Sequence, residues 1–140
     1  MDHTELRERI FDEHARLRER LADLEDLTER FEKGGAEVGL ELREGGAALC
    51  EVFAAHLSLE DAQLVPLLRK LPERGEELAD RLEREHREQR ELLDYLVSRL
   101  DEERRPTLLI AREIQSFCDY LKVDMSHEES TLLREDLLQA

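Results

Sequence analysis

The chain has 140 residues, 41% of them charged, and carries a formal net charge of -15. Such a surface repels phosphates, which argues against nucleic acid and anionic membrane as partners. Six Gly, three Pro and few aromatics among abundant Leu, Glu and Arg suit long helices in one domain, residues 1–140, with a single Leu-rich core.

The first predicted helix runs from about Thr4 to Glu32, with Leu6, Ile10, His14, Leu17, Leu21, Leu24 and Phe31 on one stripe. Lys33-Gly34-Gly35 ends it. The second runs from about Glu37 to Lys70 and turns Leu49, Val52, Phe53, His56, Glu60, Leu64 and Leu67 inward. Gly45-Gly46 is expected to interrupt its first half, and Pro66 to kink its last turns. The third opens near Pro72-Glu73, with Leu78, Leu82, His86, Gln89, Leu93, Leu96 and Leu100 in its stripe. The fourth opens at Pro106-Thr107 and shows Ile110, Ile114, Phe117, Leu121, Asp124, Glu128 and Leu132. Apolar spacing of three and four with short connections predicts an all-α fold, an up-down-up-down antiparallel four-helix bundle.

The opening M-D-H-T-E-L lacks the basic and apolar regions of a secretion signal, and no apolar run nears the roughly 20 residues of a membrane span, so a cytoplasmic protein is expected. Cys50 and Cys118 belong to no C-x-x-C pair and are expected to be free, partly buried thiols.

The second and fourth helices repeat each other. A shift of 68 residues maps His56 onto Asp124 and Glu60 onto Glu128, and also Cys50 onto Cys118, Phe53 onto Leu121 and Leu64 onto Leu132. In an antiparallel bundle His14, His56, Glu60, His86, Asp124 and Glu128 fall at a common depth. Burying an unpaired carboxylate costs several kcal/mol or more, so a layer with three of them needs positive charge. Two divalent cations and a bridging hydroxide would bring the sum near zero, and imidazole with carboxylate suits iron, manganese or zinc. The rival source of charge is Arg90, four residues after His86, swung inward to make an ion-pair layer without metal.

These motifs resemble the hemerythrin-like (HHE cation-binding) domain family. The resemblance covers nearly the whole chain and rests on D-E-H-A-R-L around His14, H-L-S-L-E-D-A-Q-L-V-P-L-L from His56, R-E-H-R-E-Q-R-E-L-L around His86 and H-E-E-S-T-L-L from His127. It implies a four-helix bundle around two non-haem iron ions, Fe2+ or Fe3+, with an oxo or hydroxo bridge. Carried over by position, His14 and His86 are ligands of the first and third helices, His56 is a terminal ligand, and Glu60 bridges the metals. The fourth helix supplies either Asp124 with Glu128, favoured by the inward stripe, or His127, one position off it. Arg90 stands where oxygen carriers of the family have a second histidine, and the fourth helix lacks an inward histidine, so the set is poorer in nitrogen and richer in carboxylate. Hard carboxylate donors favour the ferric state and make reversible oxygen carriage a poorer fit. Asp61 and Glu129 are candidates to orient the histidines from behind.

The expected function is binding or sensing of oxygen or a related small oxidant such as peroxide or nitric oxide, or iron handling. A di-iron oxidase or peroxidase and a metal-free structural or adaptor bundle are the alternatives. No protein partner is indicated by the sequence.

Overall fold

A computed structural model of the chain describes residues 2–102 and 108–138. It is all-helical among these residues, with four long helices and one short one, as a helical bundle requires.

The first helix, α1, spans His3–Glu32. Asp2 caps it by accepting a 2.8 Å hydrogen bond from the Glu5 amide, a contact worth about 1 kcal/mol. At its other end Gly34 adopts φ 95°, and the amides of Gly34 and Gly35 return to the carbonyls of Phe31 and Arg30. The left-handed residue suits glycine and stops the helix there.

A 3-10 turn at Ala36–Val38 leads into α2, Gly39–Arg69, so the α-helix starts two residues later than the spacing predicts. Gly45-Gly46 does not interrupt it. A Cβ at Gly45 would lie 2.9 Å from Leu24 Cδ2, and one at Gly46 3.3 Å from Leu100 Cδ1, so both glycines admit side chains of neighbouring helices. Pro66 also lies within the helix, and it is exposed together with Ala62, whose carbonyl it leaves unbonded on the solvent side.

The helix expected from Pro72-Glu73 begins only at Gly75. A turn over 72–74 comes first, because Arg74 sits at φ 61°, outside the helical region. This α3 spans Gly75–Glu102, and its first turns are held to α2 by Arg69, which bonds Glu76, Asp80 and Glu83. The expected opening of the fourth helix at Pro106-Thr107 lies outside the described residues. From Leu108 to Ser130 the chain forms α4, and α5, Glu135–Leu138, brings Leu138 into the core.

Contacts run in opposed sequence order along neighbouring helices. Arg7, His14, Arg18, Glu25 and Thr28 of α1 meet Leu133, Glu129, Glu129, Lys122 and Gln115 in turn. Arg43, Glu60 and Arg69 of α2 meet Leu100, His86 and Glu83. The apolar core falls into two clusters. One contains Leu17, Leu21, Phe53, Leu93, Ile114 and Leu121, the other Leu6, Ile10, Leu64, Leu82 and Leu133. The polar inward residues separate them: His14 between Ile10 and Leu17, His86 between Leu82 and Leu93. Phe31, Val52, Leu67, Leu78 and Leu132, expected inward, are half-buried at the edge of these clusters. Cys50 and Cys118 are buried free thiols, and burial pushes them up to about 11 and about 12.

Candidate metal centre

Helical spacing delivers His14, His56, Glu60, His86 and Glu128 to the gap between the two clusters, all nearly fully buried. Each histidine is fixed by a carboxylate behind it. His14 Nδ1 lies 2.8 Å from Glu129, His56 Nδ1 2.9 Å from Glu13, and His86 Nδ1 2.6 Å from Asp61. A carboxylate can only accept, so Nδ1 carries the ring proton and Nε2 of the neutral ring presents a lone pair inward.

Those inward nitrogens meet one another and the buried acids. His14 Nε2 is 3.3 Å from His56 Nε2 and 3.2 Å from Glu128 Oε1. Glu60 reaches His56 Nε2 at 3.5 Å with Oε2 and His86 Nε2 at 3.2 Å with Oε1. One ligand atom from each of His14, His56, Glu60 and Glu128 falls within a mutual 4.8 Å. Glu60 Oε2 and Glu128 Oε1 are buried with no hydrogen-bond donor. Lone pairs facing acceptor oxygens at this depth are costly unless a cation lies between them, and the donor set suits a borderline transition metal. The residues therefore fit a metal cofactor.

Electrostatics agree with strong coupling in the layer. Burial, reinforced by Glu60 and Asp124, pushes the Glu128 carboxyl well up. Burial works against charge on Glu60 too, but its contacts with Glu128, His56 and His86 together hold it below the usual carboxylate range. Burial lowers His14 despite Glu129, with His56 adding to the effect. His56 and His86 also lose solvent, but Glu60 and the carboxylate behind each ring hold them above the ordinary histidine value.

The repeat is visible in three dimensions. His14 and Arg18 face Glu128 and Glu129, while His86 and Arg90 face Glu60 and Asp61. Arg18 bonds both oxygens of Glu129 at 2.8 and 2.9 Å, and Arg90 bonds Asp61 at 2.6 Å. Arg90 thus braces the outer carboxylate of His86. It is not the inward counter-charge of the rival metal-free layer, because Asp61 captures it on the solvent side.

The symmetry fails at one place. His56 leans on Glu13, the residue before His14. The matching position holds Asp124, and the residue before His86 is Glu85, a second acid. Asp124, expected among the ligands, is not part of the four-donor group; it is half-buried on the wall of a cavity with Glu128, and burial, then Glu60 and Glu85, push its carboxyl up to about 6. Next to it Gln89 is 1% exposed, donates to Tyr120 Oη at 3.4 Å and leaves its own Oε1 unpartnered. His127 is exposed and lines a cavity of about 100 Å³ with Glu85, Asp124 and Glu128. Glu13 and Arg18 escaped the sequence reading. Their signal was the match of E-H-x-x-x-R at Glu13–Arg18 with the same pattern at Glu85–Arg90.

Comparison with known protein families matches residues 5–135, nearly the whole chain, to the hemerythrin HHE cation binding domain. No curated protein and no solved structure matches the chain. The chain belongs to the hemerythrin HHE cation-binding family.

Proposed function

We propose that this member of the hemerythrin HHE family is a non-haem di-iron protein that binds or senses oxygen or a related small oxidant, or handles iron. The supporting observation is the buried convergence of His14, His56, Glu60 and Glu128, with two carboxylate oxygens that lack any donor. The reading takes residues 1–140 as one up-down-up-down antiparallel bundle, in keeping with the opposed contact order of its helices. His14, His56, Glu60, His86, Asp124 and Glu128 would hold the ions, and manganese or zinc would suit the same donors.

Bound iron supplies one-electron redox change and a Lewis-acidic position for a small ligand such as oxygen, peroxide or nitric oxide. The chain's own part is positioning. Glu129, Glu13 and Asp61 keep the proton on Nδ1 of their histidines and aim Nε2 inward, as such carboxylates do behind metal-bound imidazoles. Glu60 stays ionised between His56 and His86. Burial and Glu60 raise the Glu128 carboxyl well above its ordinary value, so a proton competes with a cation for it. The two apolar clusters on either side exclude bulk water. No helix among the described residues is long and apolar enough to cross a membrane, in keeping with action in the cytoplasm.

The test is elemental analysis with a visible spectrum of protein from iron-supplemented cells. About two iron atoms per chain with a charge-transfer band are expected. A colourless, metal-free protein whose melting temperature ignores added iron would overturn the proposal in favour of the structural bundle. A second reading, oxidase or peroxidase, is favoured by the cavity that reaches Asp124 and Glu128. Turnover of peroxide by the iron-loaded protein separates it from sensing.

A further inference from the structure

The outer faces of the bundle are not alike. Of the large apolar side chains exposed among the described residues, all but Leu40 lie on α3 or α4. Where these two helices part, a cleft of about 440 Å³ has the buried Leu96 and Phe117 as its floor and Leu92, Tyr95, Leu109 and Tyr120 as its walls. The four wall residues are 39–57% exposed. Together they leave about 400 Å² of mostly apolar surface in water, the scale at which a patch on a soluble chain marks an interaction site. None of His14, His56, Glu60, His86 or Glu128 lines the cleft, so this surface is separate from the metal centre.

Its shape and charge select the occupant. A small-molecule site buries about 70–90% of its ligand, whereas walls this open suit a broad protein surface. The same face carries both apolar projections, Tyr95 and Leu109, and a hollow to receive them, which is what a two-fold contact between identical chains requires. The rim is self-complementary as well. Glu113 accepts from Tyr95 at 3.1 Å and pairs with Arg99, so its neighbour Arg112 stands at the Arg99 end of the cleft. Tyr120 accepts from Gln89 at 3.4 Å, so Glu88 stands at the opposite end. Burial raises the Tyr120 hydroxyl and Glu88 adds to the effect, in keeping with that placement. Arg112 and Glu88 are exposed, and neither has an ion-pair partner among the described residues. A two-fold axis across the helices reverses their direction in the second copy. It brings Arg112 of one chain to the end where Glu88 of the other lies, twice per dimer.

We infer that the α3–α4 cleft is the docking surface for a second copy of this chain, with Leu92, Tyr95, Leu109 and Tyr120 at the centre of the contact and Arg112 paired with Glu88 across it. A standard interface covers about 800 Å² on each partner. The apolar centre supplies about half of that and the charged rim the remainder, the usual division between a dry core and a polar edge. Tyrosine and arginine are the side chains that carry most energy in such contacts. Two chains that each bear a net charge of -15 repel. At about 0.15 M salt the screening length is about 8 Å, so the repulsion is confined to the charges nearest the contact, where Arg112 and Glu88 offset it.

Sedimentation equilibrium of the full-length chain in 0.15 M salt, over a range of concentrations, is the test, with circular dichroism to confirm that each variant folds. The wild type is expected to dimerise with a dissociation constant in the micromolar range. Leu109→Glu, at an exposed position that the monomer fold tolerates, places an acid in both halves of the contact and should weaken the dimer about 100-fold or more. Arg112→Glu and Glu88→Arg each set like charges against one another and should weaken it about tenfold. An equimolar mixture of these two variants should return to within about threefold of the wild type, because each chain then supplies the charge that the other has lost. A chain that stays monomeric up to about 1 mM would overturn the inference. So would a dimer indifferent to Leu109→Glu, which must use another face, or a mixture that regains nothing. Native mass spectrometry that finds a small molecule on the monomer, displaced by Leu109→Glu, would assign the cleft to a ligand instead.

Discussion

Replacing Glu129 by Gln tests whether the carboxylates behind the histidines set the metal affinity. In the native chain Glu129 meets His14 Nδ1 at 2.8 Å and both guanidinium nitrogens of Arg18 at 2.8 and 2.9 Å. Gln keeps one acceptor oxygen and loses the charge, and its amide group faces either Arg18 or the ring N–H, donor against donor. The inward nitrogen of His14 becomes less basic and its ring loses a fixed orientation. Changes of this kind behind a metal-bound histidine cost about 10–100-fold in affinity, or about 1.4–2.8 kcal/mol. Glu129 and Arg18 are partly solvent-exposed, so the cost to the metal-free fold should be smaller, about 1 kcal/mol or less. Competition with a coloured chelator measures the affinity, and urea unfolding of the stripped protein measures stability. Arg18→Ala is the control, since it leaves the Glu129–His14 contact in place and should cost several-fold less. A Glu129→Gln chain that holds metal as tightly as the wild type would refute the reasoning. So would an affinity loss that merely follows a large drop in stability.

Three other outcomes are expected. His56→Ala combined with Glu60→Ala should abolish metal retention while the far-ultraviolet helix signal survives, because the apolar clusters on both sides of the layer remain; elemental analysis with circular dichroism checks both. The raised Asp124 carboxyl, at about 6, favours the metal-free fold below its unfolded value near 3.9, and that contribution is lost as pH rises through about 6. Metal-free Asp124→Asn should therefore match the wild type near pH 4 and gain on it up to pH 7 in urea midpoints; a pH-independent difference would count against this. Gly75→Ala places a Cβ 2.4 Å from the Leu68 carbonyl oxygen, so the turn between α2 and α3 must shift, and a loss of about 1–3 kcal/mol should appear in thermal unfolding.

Glycine shows how a local rule is overruled. Read alone, Gly45-Gly46 marks a break, since each costs a helix interior about 1 kcal/mol relative to Ala. The bundle overrides that cost, because Leu24 on one side and Leu100 with Ile114 on the other occupy the space a side chain would need. Gly75 follows the same logic where α3 turns back on α2. The neighbours of Gly45 and Gly46 lie on other helices far away in sequence, so no short window along the chain could reveal them.

His14, His56, Glu60, His86 and Glu128 were legible from sequence because helical spacing alone fixes which side of its own axis a residue occupies. A charged residue placed among Leu and Ile on that side announces a buried polar layer, and the 68-residue repeat announces that two hairpins share it. What spacing cannot set is how far one helix slides and turns against the next, or which rotamer a long side chain takes. Those decided that Arg90 braces Asp61 instead of entering the layer, and that Glu13 and Arg18 support the histidines. They also decided that Asp124 stays out of the four-donor group and lines a cavity it shares with Glu85. Each of these outcomes is a distance of a few ångströms between helices far apart in sequence, and only packing of the whole bundle determines it.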